Sequence, residues 1–271
     1  MPVDVIDEMP RHQVRQSLLT SFAEDFRFQL AITPRDRDRI HALRHEVFLK
    51  ELQYRMEEDP GRHLERDDFD DHSLHCLIEH RDSGLAAGCL RLVLPRPGGD
   101  DCLPVVCQSS AAFTQPELHP LNLPRKDICE VSRLAIARPF RLRPGRTPDT
   151  EFEVPTETLF SPQQQRTFPL IVTGLFLCTY ALVSLTRRRH VYALMEPRLP
   201  RLLALSGFHF QKVSETLHYH GVRNAFYIDH RRAEQEMHAD LEPLYQHIKD
   251  SLAPDLAGIQ LPTTARVATL G

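Results

Sequence analysis

Glu130 stands in the run Ile128-Cys129-Glu130-Val131-Ser132-Arg133-Leu134-Ala135-Ile136, a stretch of strand length that is apolar apart from three residues. A carboxylate kept in such a place is either the partner of a buried cation, here Arg44 or Arg133, or a proton acceptor, and one carboxylate can be both. Strand alternation puts Glu130, Ser132, Leu134 and Ile136 on one face and Val131, Arg133 and Ala135 on the other. A bulge would break that parity and bring Arg133 towards Glu130. Upstream lies the acidic run Asp67-Asp68-Phe69-Asp70-Asp71, and downstream the cationic series Arg138, Arg141, Arg143 and Arg146. The acidic run lacks the Gly and terminal Glu of a calcium loop, and His72, His75 and Cys76 lack zinc spacing, so no metal site is assigned. Cys129 reads as a buried thiol rather than a nucleophile.

The elements that must hold these groups follow from periodicity. Phe26, Phe28, Leu30 and Ile32 alternate as a half-buried strand does, and Thr33-Pro34 opens a helix whose apolar stripe is Ile40, Leu43, Val47 and Phe48. Leu74 to Glu79 and Gly88 to Leu94 predict a hairpin turned at Arg81-Asp82-Ser83-Gly84, and Ile128 to Ala137 a further strand. Phe168 to Leu185 is apolar all round, the mark of a buried central helix, and falls short of a comfortable membrane span. Strands at His190 to Met195, Phe208 to Val213 and Arg223 to Ile228, a helix from Pro197 to Ser206 ending at Gly207, and one helix from His230 to Leu252 complete the series. This order predicts an α+β fold, a mixed central sheet flanked by helices. Residues 1–25 read as an extension, 26–252 as one domain with an inserted loop at 138–165, and 253–271 as a tail.

Composition sets limits on function. A net charge of -4 gives no global basic field, which argues against a nucleic-acid partner. The six cysteines include no CxxC pair, and the start has no basic and apolar leader pattern, so a reduced, cytoplasmic protein is expected. No transmembrane span is expected, and peripheral membrane contact stays open.

Arg44-His45-Glu46-Val47-Phe48, Tyr54, Asp67-Asp68-Phe69-Asp70, Arg91-Leu92 and Glu130-Val131-Ser132-Arg133 resemble, in kind and order, the motifs of acyl-homoserine-lactone (autoinducer) synthases. Tyr54 stands where those synthases usually carry Trp, and the chain has no Trp. Met195-Glu196-Pro197-Arg198-Leu199, Gly207-Phe208-His209-Phe210 and Tyr219-His220-Gly221-Val222-Arg223 resemble PEP-CTERM/exosortase system-associated acyltransferases, a branch grouped with N-acyl amino acid synthases.

The resemblance implies the GNAT (acyl-CoA N-acyltransferase) fold and transfer of a fatty acyl group from a thioester to the amine of an amino acid or related small molecule. It implies Glu130, Arg133 and Ser132 as catalytic, and Arg44, Phe48, Tyr54, Asp67, Asp70, Arg91 and His220 around the acceptor. Leu134, Ile136, Arg138, Arg141 and Arg143 would lie along the donor's phosphopantetheine. The charged segment after the strand, unlike a Gly-rich CoA cradle, favours acyl carrier protein over CoA as donor. No tightly bound cofactor is expected, the acyl thioester being a co-substrate. The apolar helix with Leu92, Leu94 and Phe210 would line the acyl chain. The alternatives are an acyl-homoserine-lactone synthase using S-adenosylmethionine, and a non-catalytic module of the same shape that binds lipid or carrier.

Overall fold

The computed structural model describes residues 11–96, 102–141 and 159–259. Its centre is a mixed sheet in the order β1-β4-β5-β6-β7-β10-β8, with β9 paired to β10. These strands are β1 Phe26–Leu30, β4 Ser73–His80, β5 Ala86–Val93, β6 Ile128–Ile136, β7 His190–Met195, β8 Gln211–Lys212, β9 Leu217–His218 and β10 Val222–Asp229. A separate hairpin joins β2 Glu58–Asp59 to β3 Leu64–Glu65. All pairings are antiparallel except β6 with β7.

One face of the sheet is covered by helices α1 (Arg11–Asp25), α5 (Leu170–Leu185) and α8 (Glu242–Ala257), and the other by α2 (Pro34–Arg44) and the short α3 (Pro104–Ser109). The remaining helices are α4 (Pro162–Gln165), α6 (Leu199–Ala204) and α7 (His230–Glu236). The apolar segment from Leu170 forms α5 because it has a packing partner on nearly every side: Phe22 and Ile78 meet Gly174, and α8 lies along it. Leu175, Phe176, Leu177, Cys178 and Leu182 are buried there. No helix among the described residues is long and apolar enough to cross a membrane.

α2 starts as expected, with Thr33 as N-cap accepting from the Asp36 N–H and Pro34 in the first turn. It then widens into a π-helical segment, His45–Glu51, in which the Leu52 N–H reaches the Val47 carbonyl. Such wide turns reorient side chains and recur at functional sites.

Several expectations need correction. The N-terminal stretch is not a mere extension, because α1 buries Leu19 and Phe22 in the main core. The helix expected over His230 to Leu252 is two, since Met237 takes an extended ψ of 137° and ends α7. The strand expected over Phe208 to Val213 pairs only at Gln211–Lys212. At the ends of the inserted loop, Phe140 and Phe160 pack together with ring centroids 4.9 Å apart, so its anchors belong to the core. Cys102 and Cys107, expected to be reduced, are joined in a disulfide from the segment before α3 into α3 itself, with Cα atoms 6.7 Å apart; the other four cysteines are free and buried.

Gly207 ends α6 at φ +90°, and a Cβ there would stand 2.6 Å from the Glu236 carbonyl oxygen. We therefore expect Gly207→Ala to lower unfolding free energy by about 1–3 kcal/mol, from left-handed strain and a clash with backbone that cannot rotate away. Denaturant midpoints of the two proteins check this, and a change under a few tenths of a kcal/mol would contradict it.

Candidate active site

β6 and β7 pair only over Ile128 to Val131 and His190 to Ala193, and beyond that point they part. The gap opens into a cleft of about 1140 Å³, lined from β6 by Glu130, Ser132, Arg133 and Leu134 and from β7 by Leu194 and Met195. At the apex Glu130 is 1% exposed, and its Oε2 accepts the Val105 N–H of α3 at 2.6 Å. Burial pushes its carboxyl up to about 8, against the lowering effects of the Val105 N–H, Arg91 and Arg133. The carboxyl hydrogen-bonds to α3, not to Arg44 or Arg133 as the ion-pair reading required.

Beside the apex lies a closed ring of alternating charge. Arg44 binds Glu65 and Asp70, Arg91 binds Asp70 and Asp67, and Arg133 binds Asp67 and returns to Glu65. Arg44 forks onto both Asp70 oxygens at 2.7 and 3.1 Å, and Arg133 reaches Glu65 at 3.0 Å and Asp67 at 2.7 Å. Burial would raise the Asp70 carboxyl, but Arg44 and Arg91 outweigh it and hold it far below the usual range. Burial would likewise lower the Arg44 guanidinium, and Asp70 and Glu65 raise it instead. Charge thus stays on both partners because each is paired.

The bulge makes the ring possible. Arg91 pairs with Ser132 and Cys89 with Ala135, so Arg133 and Leu134 together oppose Leu90, and Arg133 sits at φ +55°. Neighbours on a flat strand point to opposite faces, whereas here Ser132 and Arg133 both reach the same side. Ser132 Oγ accepts from Arg91 Nε at 3.0 Å while Arg133 reaches Asp67. The expected bulge is present, but it aims Arg133 at Glu65 and Asp67 rather than at Glu130. Glu65 was missing from the sequence reading because it sits in the charged run Glu65-Arg66-Asp67-Asp68, which looks solvated until the fold buries it.

Phe48, Tyr54, Asp67 and His220 reach the cleft surface together with Glu130, Ser132, Arg133 and Leu134. Tyr54 stacks on His220 at 4.7 Å and lies parallel to Phe48 at 6.3 Å, forming an aromatic wall. Its hydroxyl accepts from Arg223 at 3.0 Å, and Arg223 also holds Glu196 at 2.9 Å. His220 adopts φ +48°, and burial, with Arg133 and Arg223 nearby, lowers its pKa. Arg44, Asp70 and Arg91 are correctly placed in the cluster but lie behind the cleft wall, with Arg44 and Arg91 at 0% exposure. Arg44 places Nε on Glu65 and its two Nη groups on Asp70, whereas Arg91 places Nε on Ser132 and Nη1 on both Asp67 and Asp70 and leaves Nη2 buried without a partner; neither guanidinium reaches the cleft surface.

On the donor side Leu134 lines the cleft and Ile136 does not. Arg141 is ion-paired with Glu51 at the end of the π-helical segment, and its Nε donates to the Ile136 carbonyl at 2.8 Å. Arg138 begins the turn Arg138–Phe140, and Arg143 and Arg146 lie outside the described residues. The apolar lining comes from Phe176, Leu199 and Leu202, whereas Leu92, Leu94 and Phe210, expected to line an acyl tunnel, belong to the core packing.

Residues 43–147 match the acetyltransferase (GNAT) domain family. No curated protein matches the chain. Among solved structures, TofI in a ternary complex with an inhibitor and MTA is 18% identical with a TM-score of 0.53, over 82% of this chain and 99% of that one. FeeM, an N-acyl amino acid synthase from uncultured soil microbes, is 13% identical with a TM-score of 0.50, over 78% and 94%. BjaI, a CoA-dependent acyl-homoserine lactone synthase with SAM and isopentyl-CoA, is 16% identical with a TM-score of 0.54, over 82% and 89%.

The chain has the GNAT fold. The parted β6 and β7, with the cleft between them, are the part of this GNAT fold on which the candidate chemistry rests.

Behind the ring, His41, Asp70 and His75 could approach one cation, but Arg44 and Arg91 already occupy Asp70 and would repel it. Both histidines are instead held neutral. Burial, reinforced by Arg44, lowers His41 to about 4, and burial with the nearby arginines outweighs Asp70 to lower His75 to about 3. Folded values below the unfolded 6.5 mean that stability is complete above about pH 6.5 and falls as acid charges the unfolded chain. We expect His41→Leu, which removes a ring with neither nitrogen hydrogen-bonded, to lower the pH slope of unfolding free energy between pH 4 and 6.5 by one proton. Asp70→Asn should cost about 3–5 kcal/mol by leaving two buried guanidinium groups with one carboxylate each instead of two. Denaturant titrations across pH measure both, and an unchanged slope or a cost below about 1 kcal/mol would refute the respective assignment.

Proposed function

We propose that the chain is an N-acyltransferase that moves a fatty acyl group from a carrier thioester to the amine of an amino acid or related small molecule, through direct attack in a ternary complex. The observation that carries this reading is Glu130 at the apex of the opening between β6 and β7, with the aromatic and charged wall on one side and apolar lining on the other. The thioester would lie between the parted strands, where the β6 edge past Val131 no longer pairs with β7 and its N–H groups can meet a developing oxyanion. Glu130 takes the proton of the attacking amine, and the acceptor rests against Tyr54 and His220 with Asp67 and Arg133 at its polar end. The open cleft speaks against a non-catalytic module. The family resemblance of the second half supports a place among PEP-CTERM/exosortase-associated acyltransferases.

A second reading, an acyl-homoserine-lactone synthase, is favoured by the likeness to BjaI and by the motif order, and disfavoured by Tyr54 in place of Trp. Mass spectrometry of lipid extracts from cells expressing the chain, and of reactions offering amino acids or S-adenosylmethionine, separates the two. Acylated amino acids support the first reading, acyl-homoserine lactone the second, and no acylated amine contradicts both.

Glu130→Gln should keep the fold and reduce turnover by about 10²- to 10⁴-fold, since the amide retains a hydrogen bond but takes no proton. In the unmodified chain kcat/KM should rise with pH and level off near about 8, where the carboxylate form becomes dominant. The break should vanish in the variant and stay in place when an acceptor amine of different pKa is used. A twofold loss, or a break that follows the amine, would reduce Glu130 to a structural group.

For the donor, Arg138 and Arg141, which follow the cleft-lining strand β6 in sequence, favour an acidic carrier protein over CoA. Arg141→Glu should lower kcat/KM for acyl carrier protein more than for acyl-CoA, and the unmodified chain's preference should shrink as salt rises. Equal losses for the two donors would remove the carrier dock.

A further inference from the structure

A second constellation, independent of the acyl-transfer reading, lies where α2 widens into its π-helical segment. There the consecutive residues Arg44 and His45 take the two opposed carboxylates of the β2–β3 hairpin. Arg44 holds Glu65, and His45 Nε2 lies 2.9 Å from Glu58 Oε2. At the other end of the hairpin His63 is held at φ +56°, uncommon for a residue other than glycine. That conformation brings its ring centroid to 5.3 Å from that of His45. One ring nitrogen from each histidine and one Glu58 oxygen all lie within 4.8 Å of one another.

We propose that His45, Glu58 and His63 form a binding site for a divalent transition ion of the zinc class, with a fourth position open to solvent. Two imidazoles and one carboxylate suit zinc, whereas calcium and magnesium demand oxygen donors. An ion about 2.0–2.1 Å from each ligand needs donor atoms about 3.3 Å apart. The required closure is small and falls on the free ends. His45 is a fixed buried anchor, while the Glu58 side chain is 38% exposed and His63 is exposed. The charges also permit a cation. Glu57 and Asp59 flank Glu58, and Arg62, beside His63, is drawn off to Asp38 at 2.6 Å. The buried group of His41, Asp70 and His75 is different, because two arginines sit on its carboxylate.

The ion would replace the His45–Glu58 hydrogen bond and tie both strands of the hairpin to the end of α2. It would thereby hold Glu65 against Arg44 and Arg133 at the rim of the cleft, which Glu58 itself lines. The sequence hides this site because its ligands come from a π-helical turn and the two ends of a hairpin, a spacing that follows no local motif.

The test uses the full chain freed of metal by a chelator. Cobalt(II), titrated as a probe, should give the intense visible absorption of a four- or five-coordinate ion at one equivalent, and zinc should abolish it by displacement. Glu58→Gln and His63→Ala should each weaken cobalt binding by at least about tenfold, with His209→Ala as an exposed control that changes nothing. Zinc should raise the Tm of the unmodified chain and of His209→Ala but not of Glu58→Gln. Circular dichroism confirms that the exposed substitutions leave the fold in place. Absence of the visible band, or equal affinity in all four proteins, would overturn the proposal.

Discussion

The ring of Arg44, Glu65, Arg133, Asp67, Arg91 and Asp70 is the constraint on which the rest depends. It joins α2, the β2–β3 hairpin, the turn after it, β5 and the bulge of β6 through side chains that are mostly removed from water. Each of its charges would be prohibitive alone, and in the ring each arginine has two carboxylates and each carboxylate two arginines. Because the three arginines of the ring are matched by three carboxylates, the lowering effect of Arg91 and Arg133 on Glu130, opposed by Asp67, is smaller than the raising effect of burial. That carboxyl therefore follows its own burial and is pushed up to about 8, while Asp70, behind the cleft wall, is held far below the usual carboxylate range by Arg44 and Arg91. Two carboxylates in one region are thus given different states by their partners.

The same ring explains the backbone irregularities. A regular β6 would send Arg133 to the far face and leave Glu65 and Asp67 one cation short. The left-handed φ at Arg133 and the two-against-one register opposite Leu90 cost local pairing energy that the ion pairs offset. The irregularity falls where β6 also parts from β7, so one departure from strand geometry arranges the ring and opens the cleft. α3 then closes the apex by giving its Val105 N–H to Glu130, and the Cys102–Cys107 disulfide ties that helix to the segment just before it.

Around this polar centre the structure is conventional in its physics. The apolar α5 lies between the sheet and α8, and Asp255 of α8 accepts the Leu30 N–H of edge strand β1 at 2.9 Å. His41 and His75 fill space between the ring and α2 as neutral rings, which stabilises the cluster near neutrality and makes it sensitive to acid. The aromatic wall of Phe48, Tyr54 and His220 is assembled from segments far apart in sequence, and Arg223 binds it to the β10 side of the cleft.

The sequence by itself determined what local periodicity and capping can encode. The Thr33-Pro34 start of α2, the β4–β5 hairpin, the buried α5, the β7 strand and the Gly207 stop are all legible there, as is the anomaly of a carboxylate in an apolar strand. Through the ordered motifs it also indicated the fold and most of the residues around the cleft. What it left open was everything fixed by distance through space. Glu65 reads as one more charge in a solvated run until the hairpin turns it inward. Arg44 and Arg91 read as ligand-binding arginines until both prove to be buried behind the cleft wall and ion-paired with carboxylates. Glu130 reads equally well as an ion-pair partner or a base, and tertiary structure shows only that its hydrogen bond goes to the Val105 N–H rather than to an arginine. Only tertiary structure decides such cases, because the state of a charged side chain depends on which opposite charge and how much water lie within a few ångströms, and no local pattern carries that information.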